Sequence, residues 1–269
     1  MPLDETKYKQ LQLDRPAKHV LRITFNRPET FNSLDEVAHK ELAYIWRDID
    51  DDASINAVIL TGAGKAFSSG GDFSMIEKVI DDFDYRANTW KEARDLVYNV
   101  INCSKPIISA INGPAVGAGL VAGLLADISI AGKKAKILDG HTRLGVVAGD
   151  SAVINWPLLC GMAKAKYLLL TCEAINGEEA EKIGLVSLCV EDKDLQAKAL
   201  EIAIKLSTGA QSAIRWTKYA LNNWYRMAGP AFDTSTALEM LGFTGPEARE
   251  GLAAHLEKRK PNFPSKSPL

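Results

Sequence analysis

Two short apolar runs, each opening into a glycine-rich loop, constrain this chain more than any other feature of its sequence. AVIL (57–60) leads into TGAGKAFSSGGDF, and PIISAI (106–111) leads into NGPAVGAG. Apolar runs of this length bounded by turn residues read as strands buried on both faces. In the first loop Gly70 and Gly71 let the backbone approach a ligand closely, and Asp72 is placed to begin or cap the next element. In the second, Gly117 and Gly119 flank Ala118 where an apolar helix starts, so free N–H groups and the positive end of the helix dipole face whatever binds there. Two such donors suit a developing enolate oxygen, at roughly 3 kcal/mol each.

The flanking segments extend the same plan. VLRITF (20–25) alternates with period two and predicts a strand ended by Asn26-Arg27-Pro28. Ser33 three residues before Glu36 is a capping-box pattern, and Leu34, Val37, Ala38, Leu42, Ile45 and Trp46 recur at helical spacing behind it. GLVAGLLADISIA reads as a buried helix passing into a strand. From about Glu178 the pattern is mainly helical, through Asp194 to Lys205, Ser212 to Tyr225 and Pro230 to Arg259. This predicts an α/β core over residues 1–200 and a helical C-terminal region over 201–269. Periodicity alone does not choose between a doubly wound and a spiral sheet.

Such a core needs apolar residues, and 46% hydrophobic with 25% charged is enough for a folded domain of this length. The 32 basic and 34 acidic residues leave a net charge of −2, so no global field draws the chain to nucleic acid or to an anionic membrane. The polar start and the lack of a long apolar run lead us to expect a cytoplasmic protein with no membrane partner. Cys103, Cys160, Cys172 and Cys189 have no CxxC spacing and read as buried thiols, not as a zinc site or disulfide framework.

Taken together and in order, GAGKAFSSGGDF and KPIISAINGPAVGAGL resemble the two signature segments of the enoyl-CoA hydratase/isomerase, or crotonase, family. The resemblance continues through ADISIAGKKAKI, TCEAINGEEAEKIGLVSLCV and EGLAAHLEKRKPNF, covering roughly residues 18 to 264. It implies a crotonase-like spiral of ββα units, a C-terminal helical trimerisation region, and a trimer or dimer of trimers. It also implies an acyl-coenzyme A substrate, with coenzyme A as part of the substrate and no separate cofactor or metal. Matched to the motifs, the oxyanion donors are the N–H groups of Gly71 and Ala118, where the family usually has glycine at the second position. Arg27, Lys65, Ala66, Lys258 and Lys260 are the candidates for coenzyme contacts.

Hydratases of the family use two glutamates, and the matching positions here are Val121 and His141. Asp150 follows His141 by nine residues. A carboxylate paired with an imidazole fixes its tautomer and raises its basicity, so His141 is expected as base and Asp150 as its orienter. His followed by G-V-V-A-G-D and then Trp-Pro is similar to crotonase-family hydrolases that cleave a carbon–carbon bond in cyclic β-diketones, such as 6-oxocamphor hydrolase. That similarity adds Glu239 as an assisting carboxylate and makes C–C hydrolysis the alternative activity. In contrast to that hydrolase, NGPAVGAGL is intact here, which favours a CoA thioester. Trp156, Trp90 and Phe73 are candidates to shape the acyl pocket. A non-catalytic or RNA-binding relative would need a basic stripe, and only KKAK (133–136) and EKRK (257–260) are present.

Overall fold

The computed structural model describes residues 2–267. Strands β1 (Leu11–Ala17) and β2 (Val20–Phe25) form an antiparallel hairpin, followed by helix α1 (Glu36–Asp51) and strand β3 (Ala57–Gly62). Helices α2 (Phe73–Asp81) and α3 (Phe83–Asn102) lead to β4 (Ile107–Ile111), the short β5 (Pro114–Ala115) and α4 (Gly117–Leu125). The next turn runs β6 (Ile128–Gly132), β7 (Lys136–Ile137), α5 (His141–Leu144), α6 (Ala152–Cys160) and α7 (Met162–Thr171). It closes with β8 (Ile175–Asn176), α8 (Gly177–Lys182), β9 (Leu188–Val190) and α9 (Leu195–Ser207). The remainder is helical: α10 (Gln211–Leu221), α11 (Asn223–Met227), α12 (Gly229–Gly242) and α13 (Pro246–Leu256).

The strands fall into two sheets, and from β4 onward successive turns add a strand to each. The larger has the order β1-β2-β3-β4-β6-β9, parallel after the first hairpin, and the smaller has the order β5-β7-β8. This is the spiral of ββα units that spacing alone could not choose. The apolar runs follow from burial on both faces of the large sheet. Leu21, Ile23, Val58, Leu60 and Ile107 join the main core with Trp46 of α1 and Val97 of α3. Val20, Ala57, Ile59, Ile108 and Ile130 face the other way onto Leu195, Ala199 and Ala203 of α9.

Several local expectations are corrected. Ser33 does not cap α1: Asp35 does, accepting from the Ala38 N–H at 2.9 Å, while the Ser33 hydroxyl donates to Asp72. The segment 230–259 is two helices, interrupted at Phe243 to Gly245 ahead of Pro246, whose ring cannot continue a helix. Phe243, at that interruption, is buried against Val79, Val146 and Leu252 of its own chain. Exposed apolar residues cluster on α10 and α11, where Trp216, Tyr219, Trp224 and Met227 are each more than 60% exposed. On its inner side α10 is fixed to the core by Lys218, whose Nζ lies 2.8 Å from Asp127 and donates to the Lys105 carbonyl. No helix among the described residues is long and apolar enough to cross a membrane.

Candidate active site

The two glycine-rich loops meet. A parallel bridge pairs Leu34 with Gly71, using the Gly70 carbonyl and the Asp72 N–H and turning the Gly71 N–H the other way. Ser68 carries the first loop onto the second: its carbonyl accepts from the Val116 N–H at 2.9 Å, and its hydroxyl donates to the Asn32 carbonyl. Close approach needs glycine here. Gly70 and Gly117 have φ of +88° and +55°, and a Cβ on Gly117 would lie 3.1 Å from the Gly70 Cα and 3.8 Å from the Gly71 nitrogen.

Helix α4 begins at this junction with Val116 as N-cap and no side-chain cap, so its first N–H groups stay open. Among the described residues neither the Gly71 nor the Ala118 N–H has an acceptor. A cavity of about 350 Å³ opens over the junction, lined by Gly70, Gly71, Phe73, Gly117, His141 and Ala254 among others. A volume of this order suits a small acyl group with part of its carrier.

His141 begins α5 in that cavity wall, and three carboxylates surround its ring. Asp139 holds Nδ1 with both oxygens, at 2.9 and 3.0 Å, and also accepts from the His141 backbone N–H. Asp150 Oδ2 and Glu239 Oε1 each lie 3.5 Å from Nε2. Glu239 arrives from α12, the preceding turn of which is tied to the Gly149 carbonyl by the Ser235 and Thr236 hydroxyls. Glycine is required at 149 because a Cβ there would meet Glu239 Oε2 at 2.5 Å and the Ser235 carbonyl at 2.6 Å.

Spacing alone assigns Asp150 the orienting role, and the geometry moves it. Asp139 occupies Nδ1, and Asp150 stands on the Nε2 side with Glu239. Asp139 is not singled out by the sequence motifs, although an Asp two residues before a His is positioned for an Asx turn that can also reach the ring.

Electrostatics decide the protonation of the cluster. Burial opposes charge on His141, but Asp139, Asp150 and Glu239 outweigh it and hold its pKa well above the usual imidazole value. Burial raises Glu239 to about 8 and Asp150 to about 6, with the His141 charge pulling both the other way. These directions favour an imidazolium beside an ionised Asp150 at neutral pH, with Glu239 protonated. That departs from the neutral imidazole base expected from sequence, because three carboxylates converge on the ring. Donor atoms of Asp139, His141 and Asp150 lie within 4.8 Å of one another, close enough to share a cation, but Nδ1 is already committed to Asp139.

Other candidates fall in different places. Phe73 lines the cavity and stacks on His255 with ring centroids 4.3 Å apart. Trp156 is buried beside Asp150, whereas Trp90 lies in a separate groove between α3 and α12 and does not reach the cavity. Val121 is buried behind the oxyanion junction. Arg27 is engaged internally with Asp35 and Asp72 at 3.4 and 3.8 Å and with the Ser33 carbonyl, bracing the first loop. Ala66 is buried and its carbonyl accepts from Asn32 and Asn112. Lys65 is exposed, as are Lys258 and Lys260, which flank the cavity-lining Arg259. Arg143 also lines the cavity and was not singled out from sequence.

Comparisons with known proteins bear on the family and the fold. The family model described as enoyl-CoA hydratase/isomerase matches residues 15–266. A short-chain-enoyl-CoA hydratase of Clostridium acetobutylicum is 34% identical over 92% of this chain and 95% of its own. An enoyl-CoA hydratase/isomerase structure from Mycobacterium paratuberculosis superposes with a TM-score of 0.87 at 33% identity, covering 91% of this chain and 97% of that one. A β-diketone hydrolase from the cyanobacterium Anabaena, bound to (S)-3-oxocyclohexyl acetic acid, superposes with a TM-score of 0.83 at 28% identity, covering 91% and 98%.

Proposed function

The chain belongs to the enoyl-CoA hydratase/isomerase family of the crotonase superfamily, and on that premise we propose that it acts on an acyl-CoA thioester through an enolate, with His141 moving the proton. The observation that supports this most is that His141 borders one cavity with Gly71, whose N–H is unpaired, and with Gly117, the residue next to the unpaired Ala118 N–H. The thioester oxygen would take the Gly71 and Ala118 N–H groups, which stabilise the negative charge that develops there. His141 starts as the imidazolium and delivers a proton to the developing carbanion or alkoxide. Asp139 fixes the ring, and ionised Asp150 takes the proton given up by water or substrate and passes it to Nε2, which restores the imidazolium. Lys258 and Lys260 are proposed to meet the coenzyme phosphates; Arg27 and Ala66 act by shaping the first loop. The exposed aromatic face of α10 and α11 would be covered in a homotrimer or a dimer of trimers.

A second reading, hydrolysis of a carbon–carbon bond in a cyclic β-diketone or β-ketoacyl ring, draws on the likeness to the Anabaena hydrolase and on the carboxylates around His141. Calorimetry separates the two. Micromolar binding of acyl-CoA esters with much weaker binding of the matching free acids supports the first, because the nucleotide portion adds anchoring energy remote from the reaction. Equal affinity for ester and acid would overturn it, and NMR of the product then identifies the bond made or broken.

A further inference from the structure

Beside the substrate cavity, and sharing Gly117 with it, is a second space of about 10 Å³. Its polar lining comprises Asp139, Asp150, Ser151 and Asn155, and the rest is Gly117, Leu120, Val121, Leu124, Ala152 and Trp156. That is the volume of about one water molecule, which requires two to four polar partners to be retained. Asn155 is 1% exposed. Its Nδ2 donates to the Ser151 hydroxyl at 3.1 Å, and its Oδ1 has no partner. A buried amide oxygen left unpaired costs about 1–3 kcal/mol, so a donor at this point is strongly favoured.

The charges around this space are all accounted for. His141 faces it through Asp139 and Asp150, Glu239 approaches the ring from α12, and α4 and α6 contribute only uncharged side chains to its wall. A water has two O–H donors. Asp139 already accepts from the His141 ring through both oxygens and from the backbone N–H. Asp150 accepts backbone N–H groups at the start of α6, and its nearest side-chain donor, His141 Nε2, is 3.5 Å away, so a water donor is better placed on Asp150.

We infer that Asn155 is a positioning residue that holds one internal water, which donates to Asn155 Oδ1 and to the Asp150 carboxylate. The water steadies Asp150 as an anion facing His141 Nε2, and through it keeps His141 charged. This deepens the role proposed above for the His141 and Asp150 pair and depends on it only for its catalytic consequence. The water site itself stands on the amide and the crevice.

The test is NMR titration of the His141 ring, without any substrate, in the wild type and in Asn155→Leu and Asn155→Ser, together with a high-resolution crystal structure of the wild type. Leucine fills the space and removes the acceptor, so the proton affinity of His141 falls about tenfold, as expected when a neighbouring anion is neutralised. Serine leaves room for water and restores most of it. The crystal structure shows a water within hydrogen-bond distance of Asn155 Oδ1 and Asp150. An unchanged His141 titration in Asn155→Leu, with only melting temperature affected, overturns the proposal. So does a metal ion or a dry crevice in the crystal structure. Failure of acyl-CoA turnover leaves this titration informative and counts against the activity alone.

Discussion

Asp139 Oδ2 lies 2.9 Å from His141 Nδ1, and the same carboxylate accepts from the His141 backbone N–H two residues along the chain. One side chain therefore fixes both the helix start and the ring that it presents, so the imidazole cannot rotate without breaking the turn that carries it. Removing that carboxylate should disturb orientation and charge together.

His141→Ala is expected to lower kcat by roughly 10² to 10⁴, the range for loss of a general acid or base, with coenzyme affinity within a few fold. Asp139→Asn and Asp150→Asn should each lower it by about 10 to 10³. Each double variant with His141→Ala should be little worse than His141→Ala alone, since groups that act as a unit are not additive. Steady-state kinetics on the identified ester check this, and additive losses would show that the carboxylates act elsewhere.

The pH dependence has a definite sign. Because the carboxylates hold the His141 pKa well above its usual value, the imidazolium persists through neutrality. A reaction that starts from the charged ring beside ionised Asp150 loses kcat/KM on the acid side as Asp150 takes up a proton at about pH 6, and on the alkaline side as His141 loses its own. Asp150→Asn should abolish the acid limb, and a rise through pH 6.5 that survives in that variant would identify the neutral ring as the working form.

Glu239 is buried, its Oε2 has no hydrogen-bond partner, and burial lifts its pKa from 4.5 to about 8. The folded chain thus holds a proton that the unfolded chain releases, so this contribution to stability is complete below pH 4.5 and is lost as pH rises to about 8. His141 acts with the same sign, over a window beginning near 6.5. Glu239→Gln should raise stability by roughly 1–3 kcal/mol at about pH 8.5 and by less at about pH 5, read from denaturant melts. No gain at the higher pH would mean that the carboxylate is solvated.

Gly117→Ala places a methyl group 3.1 Å from the Gly70 Cα at a φ of +55°, so the two loops must separate or α4 must shift. The expected result is a loss of roughly 10² to 10³ in kcat, comparable to deleting an oxyanion donor, at a stability cost of about 1–2 kcal/mol. Retained turnover would remove the oxyanion role from this junction.

Light scattering should give a mass that is a multiple of three chains of 29.3 kDa, because Trp216, Tyr219, Trp224 and Met227 present an apolar face with no cover from their own chain. Trp216→Glu should shift the population toward smaller species. A monomer at micromolar concentration would contradict the assembly.

Much of this protein is readable in its linear order. The strands at 20–25, 57–60 and 106–111 coincide with β2, β3 and β4 to within a residue or two, because apolar runs bounded by glycine, proline and asparagine are local signals that need no partner to be recognised. The donor loops are legible for the same reason, since a glycine pattern is itself a statement about backbone freedom. Strand β1 is not, because Asp14, Arg15 and Pro16 interrupt its pattern and only pairing with β2 makes it a strand. The protonation of His141 is also out of reach of the sequence. It depends on Asp139 from a turn, Asp150 from nine residues on and Glu239 from α12, and only the fold brings these carboxyl groups within 3.5 Å of one ring. Sequence determined which groups are present and which backbone can bend. The convergence of those groups in a space with little water set their charge, because electrostatic energy depends on distance and burial, and neither is a property of chain order.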